Sequence, residues 1–312
     1  MSAARRLVSL DDLGDEDLRS IVARGAHFAS GAGVGERPLD GWIAGIYFKR
    51  TSTRTRTAFS VGALRLGAQI VSYGPGDLQV NTGETEQDTG RVLARMLDVL
   101  VARTAGSVAE LEALSGDSRL PVVSAMGALE HPTQALADLT TLQLQFGRIE
   151  GLRVLYAGEG NNTATALALA LTRYPGTRLE LRTPPGYAVD AGIMAKARRQ
   201  AARYGASVEE RHDMDALPTD ADAVYTTRWQ TTGTSKADPD WRSVFAPFQV
   251  TEAVLERSPK AVFLHDLPAH RGEEVTAQVL DSDRSIVFDQ AENKLHSAMA
   301  VLEWIRRGPV TA

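Results

Sequence analysis

Residues 42–66 read WIAGIYFKRTSTRTRTAFSVGALRL: an apolar run ending at Phe48, a polar connection rich in hydroxyls and arginine, and a helical pattern over Phe59 to Leu66. A short apolar strand feeding directly into a helix is the opening of a βαβ unit, which pairs its strands in parallel. The same alternation recurs outward from this stretch. An opening helix covers about Asp15 to Phe28, and strands are expected near Trp42 to Phe48, Gln69 to Tyr73, Val99 to Thr104 and Pro121 to Met126. Leu136, Leu139, Leu142 and Leu144 give Thr133 to Phe146 a helical spacing. A second strand series follows near Leu152 to Ala157, Arg178 to Arg182, Ser207 to Arg211, Ala223 to Thr227, Ala261 to His265 and Ser285 to Phe288, and a last helix spans Ala291 to Arg306. The reading is an α/β fold with two mainly parallel sheets flanked by helices, and 312 residues suffice for two cores. Trp229 to Phe248 carries the longest loop signal, a length usually reserved for function or motion.

Composition narrows the chemistry. A net charge of −5 offers no global attraction to nucleic acid or an anionic membrane, so any anion site must be built locally. The sequence has no cysteine, which excludes disulfides, thiolate metal sites and thiol nucleophiles and fits a reducing, cytoplasmic setting. No stretch approaches ~18 uninterrupted apolar residues, and no fixed-period repeat occurs. A small-molecule enzyme is the expectation.

Ser52-Thr53-Arg54-Thr55-Arg56 sits where the strand passes into the helix. Free backbone N–H groups and the positive end of the helix dipole bind phosphate there, and hydroxyls and a guanidinium add directed donors. Taken alone, such a string is more often a helix cap with two solvent-facing arginines. Arg103 ends another strand, and His131-Pro132-Thr133-Gln134 opens a helix after the next. Ligands of parallel sheets bind outside the carboxyl ends of the strands, so three strand ends would converge on one crevice.

Together these motifs resemble the aspartate and ornithine carbamoyltransferase family. Ser-Thr-Arg-Thr-Arg at 52–56, Gly83-Glu84 before Asp88-Thr89 and Arg91-Val92-Leu93, His-Pro-Thr-Gln at 131–134, and His265-Asp266-Leu267-Pro268 follow the family order across nearly the whole chain. The resemblance implies a carbamoyl-phosphate-binding domain over 1–147, an amino-acid-binding domain over 148–290, and a C-terminal helix over 291–312 that packs back on the first. It also implies a homotrimer or a multiple of trimers, with the loop at Gln79 to Glu84 reaching into a neighbouring subunit's site. Gln79 is like that of ornithine enzymes, and the lysine of aspartate enzymes is absent. Leu267 and Lys294 belong to the implied carbamoyl-phosphate site, although the family usually has arginine at 294, and Lys49 stands where it commonly has glutamate.

Carried over residue by residue, Ser52, Thr53, Arg54 and Thr55 would hold the phosphate, and Arg103, His131, Gln134 and Thr55 would polarise the carbonyl. Preorganised donors at developing charge are usually the largest catalytic contribution. With a leaving group already activated, direct transfer to a small amino-acid amine needs neither metal nor organic cofactor. The attacking amine must be neutral, and no residue stands out as its dedicated base.

The acceptor end departs from the family. In Gly158-Glu159-Gly160-Asn161-Asn162 the second asparagine, Asn162, resembles the residue that meets the α-carboxylate in ornithine enzymes, while either asparagine is also a natural helix cap. A dinucleotide reading of this segment fails on its missing third glycine, where Thr163 stands. Ornithine enzymes have an aspartate after Tyr-Thr and then Ser-Met-Gly to grip the side-chain amine; Tyr225-Thr226-Thr227-Arg228-Trp229-Gln230-Thr231-Thr232-Gly233 instead is similar to the Thr-Arg-x-Gln of aspartate enzymes. Asp266 replaces their cysteine. Thr227, Arg228, Gln230, Thr231 and Asp266 are thus the acceptor candidates, with Asp266 and Arg228 either forming a re-wired pocket or pairing with each other. Ornithine, a related diamino acid, aspartate, or binding without catalysis remain the alternatives.

Overall fold

A computed structural model describes residues 4–310 apart from 105, 118, 232 and 233. It has two compact units, Met1–Leu144 with Glu292–Ala312, and Gln145–Ala291.

In the first unit, α1 (Asp15–Ala29) precedes β1 (Ile43–Phe48), α2 (Arg54–Arg65), β2 (Gln69–Tyr73), α3 (Glu86–Leu93), β3 (Val99–Arg103), α4 (Val108–Ala113), β4 (Val122–Ser124) and most of α5 (Pro132–Phe146). Leu18, Ile21, Val22, Gly25 and Phe28 recur at helical spacing along α1 and form its buried face. The four strands pair in parallel in the order β2-β1-β3-β4. All of β3 is buried, as a strand covered on both faces requires, and β2 forms an edge on which Gln69, Val71 and Ser72 are exposed.

The second unit runs β5 (Arg153–Ala157), α6 (Asn162–Leu171), β6 (Arg178–Arg182), α7 (Ala191–Tyr204), β7 (Ser207–Arg211), β8 (Ala223–Thr226), α8 (Trp241–Phe245), α9 (Glu252–Glu256), β9 (Val262–His265) and α10 (Ala277–Leu280). Its sheet is parallel in the order β7-β6-β5-β8-β9. Every residue of α6 is buried, in keeping with its run of Ala and Leu. The last helix, α11 (Val287–Arg307), carries the chain back into the first unit's group of residues.

Two expectations need correction. Ser285 to Phe288 is not a strand: Ser285 makes one isolated bridge to Phe263, closed by Phe263 N donating to Arg284 O at 2.8 Å and Ile286 N to Phe263 O at 3.0 Å, and α11 begins at Val287. A three-residue apolar run, Ile286 to Phe288, has no period of its own, and helix hydrogen bonds decided it. The expected long loop from Trp229 also contains a 3-10 turn over Ala246–Phe248 and α8, whose Trp241 and Phe245 pack with Trp229 into a cluster of their own.

Both sheets reverse strand order once. Chain succession runs from β1 outward to β2 and then back across to β3, and from β5 outward through β6 and β7 and then back across to β8. The crevice outside the carboxyl ends at such a reversal is where open parallel sheets take ligands. The connections at those positions are 49–53 and 104–107 in the first unit, and 158–161 and 227–240 in the second.

Candidate functional site

At the first reversal Phe48 of β1 lies in register with Arg103 of β3, and Lys49 N donates to Arg103 O at 3.0 Å. The Ser52 to Arg56 motif therefore starts beside the end of β3. α2 begins at Arg54, and the Thr53 hydroxyl makes no cap to the helix. Thr55 is buried while Arg56 points outward and donates to Ser72 Oγ at 2.7 Å. Lys49 pairs with Glu110 of α4 at 3.1 Å, and that hydrogen bond raises its pKa, so the lysine brings its own counter-charge.

Arg103, His131, Gln134 and Lys294 are all buried. Burial first, and then the neighbouring Arg103 and Lys294 cations, hold His131 well below the usual imidazole range, so the ring is neutral at pH 7. Thr133 Oγ1 lies 3.3 Å from its Nδ1. Lys294 Nζ donates to Gln134 Oε1, and Gln134 Nε2 donates to Asp138 Oδ1 at 2.8 Å. Because lysine only donates and a carboxylate only accepts, this amide orientation is fixed. Gln134 was expected to polarise a carbonyl; one of its two Nε2 hydrogens is committed to Asp138 one helical turn on, and its Oε1 faces Lys294. Gln79 is exposed on a 3-10 turn, where its Oε1 accepts from Thr82 Oγ1 at 2.8 Å, and it does not join this cluster.

At the second reversal, register aligns Ala157 with Thr226 and Thr226 with His265, so Gly158, Thr227 and Asp266 leave the sheet side by side. Gly158 has φ 143°, a conformation L side chains rarely adopt, and a Cβ on Gly160 would lie 2.2 Å from Val189 N. These two glycines let the turn approach the Ala188–Val189 backbone and aim Asn161 at the start of α6. Asn161 takes the cap, its Oδ1 accepting from Thr163 N at 3.0 Å and Ala164 N at 3.2 Å, while its Nδ2 donates to Thr231 Oγ1 at 3.1 Å. Asn162, the first helical residue, is buried.

Asp266 is cradled by hydroxyls. Thr163 Oγ1 donates to Oδ2 at 2.9 Å, and Thr227 Oγ1 lies 2.9 Å from Oδ1 and 3.0 Å from Oδ2. Of the two alternatives for Asp266 and Arg228, the ion pair is not formed: among the described residues Arg228 makes no ion pair with Asp266, and it stays half-buried. The hydroxyls at the ends of β8 and α6 reach the carboxylate first. His265 Nδ1 is 3.4 Å from Asp266 Oδ1, yet it accepts from Leu267 N at 2.8 Å, so its lone pair faces that amide and the contact is not an ion pair. His265 Nε2 then donates to the fully buried Glu274 at 3.2 Å, and Leu267 is held at φ 52°. Gln230 Nε2 donates to Thr234 O at 2.7 Å; Thr232 and Gly233 of this motif lie outside the described residues.

Sequence reasoning missed three participants. Thr163 stood only as a broken glycine motif, and Glu159 and Lys236, which pair at 2.6 Å, are 77 positions apart with no local spacing to link them. Among the described residues no group of three His, Asp or Glu side chains could hold a metal ion, and no helix is long and apolar enough to cross a membrane.

Comparison with known proteins matches residues 5–144 to the family described as aspartate/ornithine carbamoyltransferase, carbamoyl-P binding domain, and residues 150–305 to its Asp/Orn binding domain. The ornithine carbamoyltransferase of Thermococcus kodakarensis is 39% identical over 309 residues, 98% of each chain. Among solved structures, the ornithine carbamoyltransferase of Pyrococcus furiosus superposes with TM-score 0.91 at 38% identity, covering 99% of both chains. That of Thermus thermophilus gives 0.86 at 32% identity, covering 98% of this chain and 100% of the other.

Proposed function

Because the chain belongs to the aspartate/ornithine carbamoyltransferase family, we propose that it transfers the carbamoyl group of carbamoyl phosphate to the side-chain amine of ornithine and releases phosphate. The observation that carries this reading is the buried cluster of Arg103, His131, Gln134 and Lys294, formed in the unit whose first strand reversal presents the Ser52 to Arg56 motif.

The phosphate of the donor sits at the start of α2, held by backbone N–H groups there and by Ser52, Thr53, Arg54 and Thr55. Arg103, the Thr55 hydroxyl and a neutral His131 N–H donate to the carbonyl oxygen as it gains charge, and Lys294 adds a nearby cation. Gln134 Oε1, an acceptor, suits the carbamoyl NH2. The family resemblance also assigns Leu267 to the carbamoyl group, and within its own unit the Leu267 N–H is held by His265 Nδ1 at 2.8 Å. As the C–N bond forms and the C–O bond to phosphate breaks, the departing phosphate can take the proton the amine sheds.

A carboxylate stabilises an ammonium and would disarm an attacking amine. The group that Asp266 meets is therefore the acceptor's α-ammonium, with Thr227 and Thr163 orienting the carboxylate. In this reading Asn162 and Arg228 take the α-carboxylate, supported by Asn162 standing at the start of α6 and Arg228 being half-buried, with Gln230 and Thr231 on the same connection as Arg228. A homotrimer or multiple of trimers belongs to this reading, supported by the exposed β2 edge and the exposed residues around Gln79 to Glu84. So does a cytoplasmic location, which the absence of cysteine favours.

The test is incubation with carbamoyl phosphate and, separately, ornithine, diaminobutyrate, diaminopropionate, lysine, putrescine and aspartate, identifying the ureido product by mass. Citrulline with one phosphate released per turnover is expected. Phosphate release indifferent to added amine would refute transfer, and a preferred product other than citrulline would refute the acceptor.

A further inference from the structure

The connection after β8 carries a cation that the transfer chemistry does not use. The Lys236 side chain is only 4% exposed, and its Nζ donates to Glu159 Oε1 at 2.6 Å. Three rings surround the same ammonium, with centroids at 4.5 Å for Tyr187, 4.6 Å for Phe245 and 5.3 Å for Trp241. The rings hold one another: Tyr187 and Trp241 both meet Phe245 edge-on, at 4.6 Å and 5.2 Å. Ring quadrupoles and a carboxylate attract an ammonium most strongly where water is excluded. A cavity of ≈ 430 Å³ opens beside the lysine, bounded in part by Glu159, Tyr187 and Asp238.

Glu159 is not an isolated partner. Its Oε2 accepts from Thr231 Oγ1 at 3.4 Å, and Thr231 Oγ1 accepts from Asn161 Nδ2 at 3.1 Å. Polar contacts thus run without a break from the aromatic cluster, through Lys236, Glu159 and Thr231, to the residue that caps α6. The next residue is Asn162, and the segment so tied begins at Arg228.

We propose that Lys236, caged by Tyr187, Trp241 and Phe245 and bonded to Glu159, is a positioning residue that clasps Thr231, and with it the start of the connection after β8 at Arg228, to the 158–162 turn and so sets affinity for the acceptor amino acid. This rests on the reading above that Asn162, Arg228 and Thr231 face the acceptor. Lys236 itself touches no substrate. The carboxylate of Glu159, left without the lysine, would draw water and free Thr231 from the turn.

Steady-state kinetics of Lys236→Met, Lys236→Arg and Lys236→Ala test this, with intrinsic tryptophan emission followed in parallel because Trp229 and Trp241 lie in the cluster. Lys236→Met keeps the length and removes the charge; the acceptor KM should rise about tenfold, the low end of what one charged hydrogen bond contributes, while the carbamoyl phosphate KM stays within about twofold. Lys236→Arg should recover part of the loss. Adding n-propylammonium to Lys236→Ala should lower the acceptor KM and restore the emission, and n-propanol should do neither. An acceptor KM in Lys236→Met within about twofold of the parent overturns the clasp. So does an equal rise in both KM values with no recovery by n-propylammonium, which marks a merely structural lysine. A parent protein that transfers to no acceptor would instead strike the functional reading, and the ammonium-dependent emission of Lys236→Ala would still decide whether the cage holds the cation.

Discussion

Replacing Asp266 by asparagine isolates the charge from the shape of the acceptor site. The carboxylate accepts from Thr163 Oγ1 at 2.9 Å and from Thr227 Oγ1 at 2.9 and 3.0 Å, and its side chain is 15% exposed. An asparagine of the same outline keeps an oxygen for one hydroxyl and offers its NH2 to the other, since a threonine hydroxyl also accepts. Stability should therefore change by less than ~1 kcal/mol. What is lost is the charge-assisted bond to the acceptor's ammonium, worth about 1.5–3 kcal/mol against a neutral bond that survives in part. At ~1.4 kcal/mol per factor of ten, kcat/KM for ornithine should fall roughly 10- to 100-fold. The assay is citrulline formation with ornithine varied at saturating carbamoyl phosphate, then the reverse, alongside thermal unfolding. The carbamoyl phosphate KM should hold. An Asp266→Asn enzyme with an unchanged kcat/KM for ornithine would refute the reasoning, because it would make the carboxylate a structural partner of the two threonines. Asp266→Cys, which installs the residue of the resembling ornithine enzymes, should likewise alter acceptor selectivity.

Three further outcomes are expected. Burial keeps His131 neutral in the fold, whereas the unfolded chain binds a proton below about pH 6.5, so its contribution to stability is present above that pH and lost as pH falls toward the depressed folded value. His296, lowered mainly by burial, acts in the same window; denaturant unfolding should weaken by up to about 1.4 kcal/mol per pH unit for each such group, and His131→Gln should flatten the slope. Lys294→Met leaves Gln134 Oε1 buried without its donor, and initial-rate kinetics should show kcat/KM for carbamoyl phosphate falling by about 1–3 kcal/mol of binding, or roughly 10- to 100-fold, with ornithine KM little changed. Gly160→Ala forces a methyl against Val189 N and Ala188 C, at 2.2 and 2.3 Å, where only backbone can move; a loss of about 1–3 kcal/mol in thermal unfolding and a raised ornithine KM should appear together.

The α/β class and nearly every strand are legible in the sequence, because a buried parallel strand between helices requires a short apolar run with polar ends. The phosphate motif is legible for a related reason: 52–56 is local, and a strand-to-helix junction announces free N–H groups within a few residues. Ser285 to Phe288 failed on the opposite ground. Its three apolar residues serve a bridge and a helix start equally, and only the hydrogen bonds to Phe263 and the run of α11 separate them.

By itself, then, the sequence determined the sheets, the start of α2, and which residue types stand at the strand ends. Tertiary structure alone decided their partners. Charge left Asp266 either an acceptor-pocket group or a partner of Arg228, yet β8 and β9 are neighbours whose register puts Thr227 beside it, and α6 brings Thr163 to the carboxylate. Which way the Gln134 amide faces was likewise decided by the i+4 carboxylate of Asp138 and the ammonium of Lys294, 160 residues away in sequence. Lys236 gave no local signal at all. Backbone periodicity is written in neighbours along the chain, whereas the sign and direction of a polar contact depend on which distant group the fold delivers first.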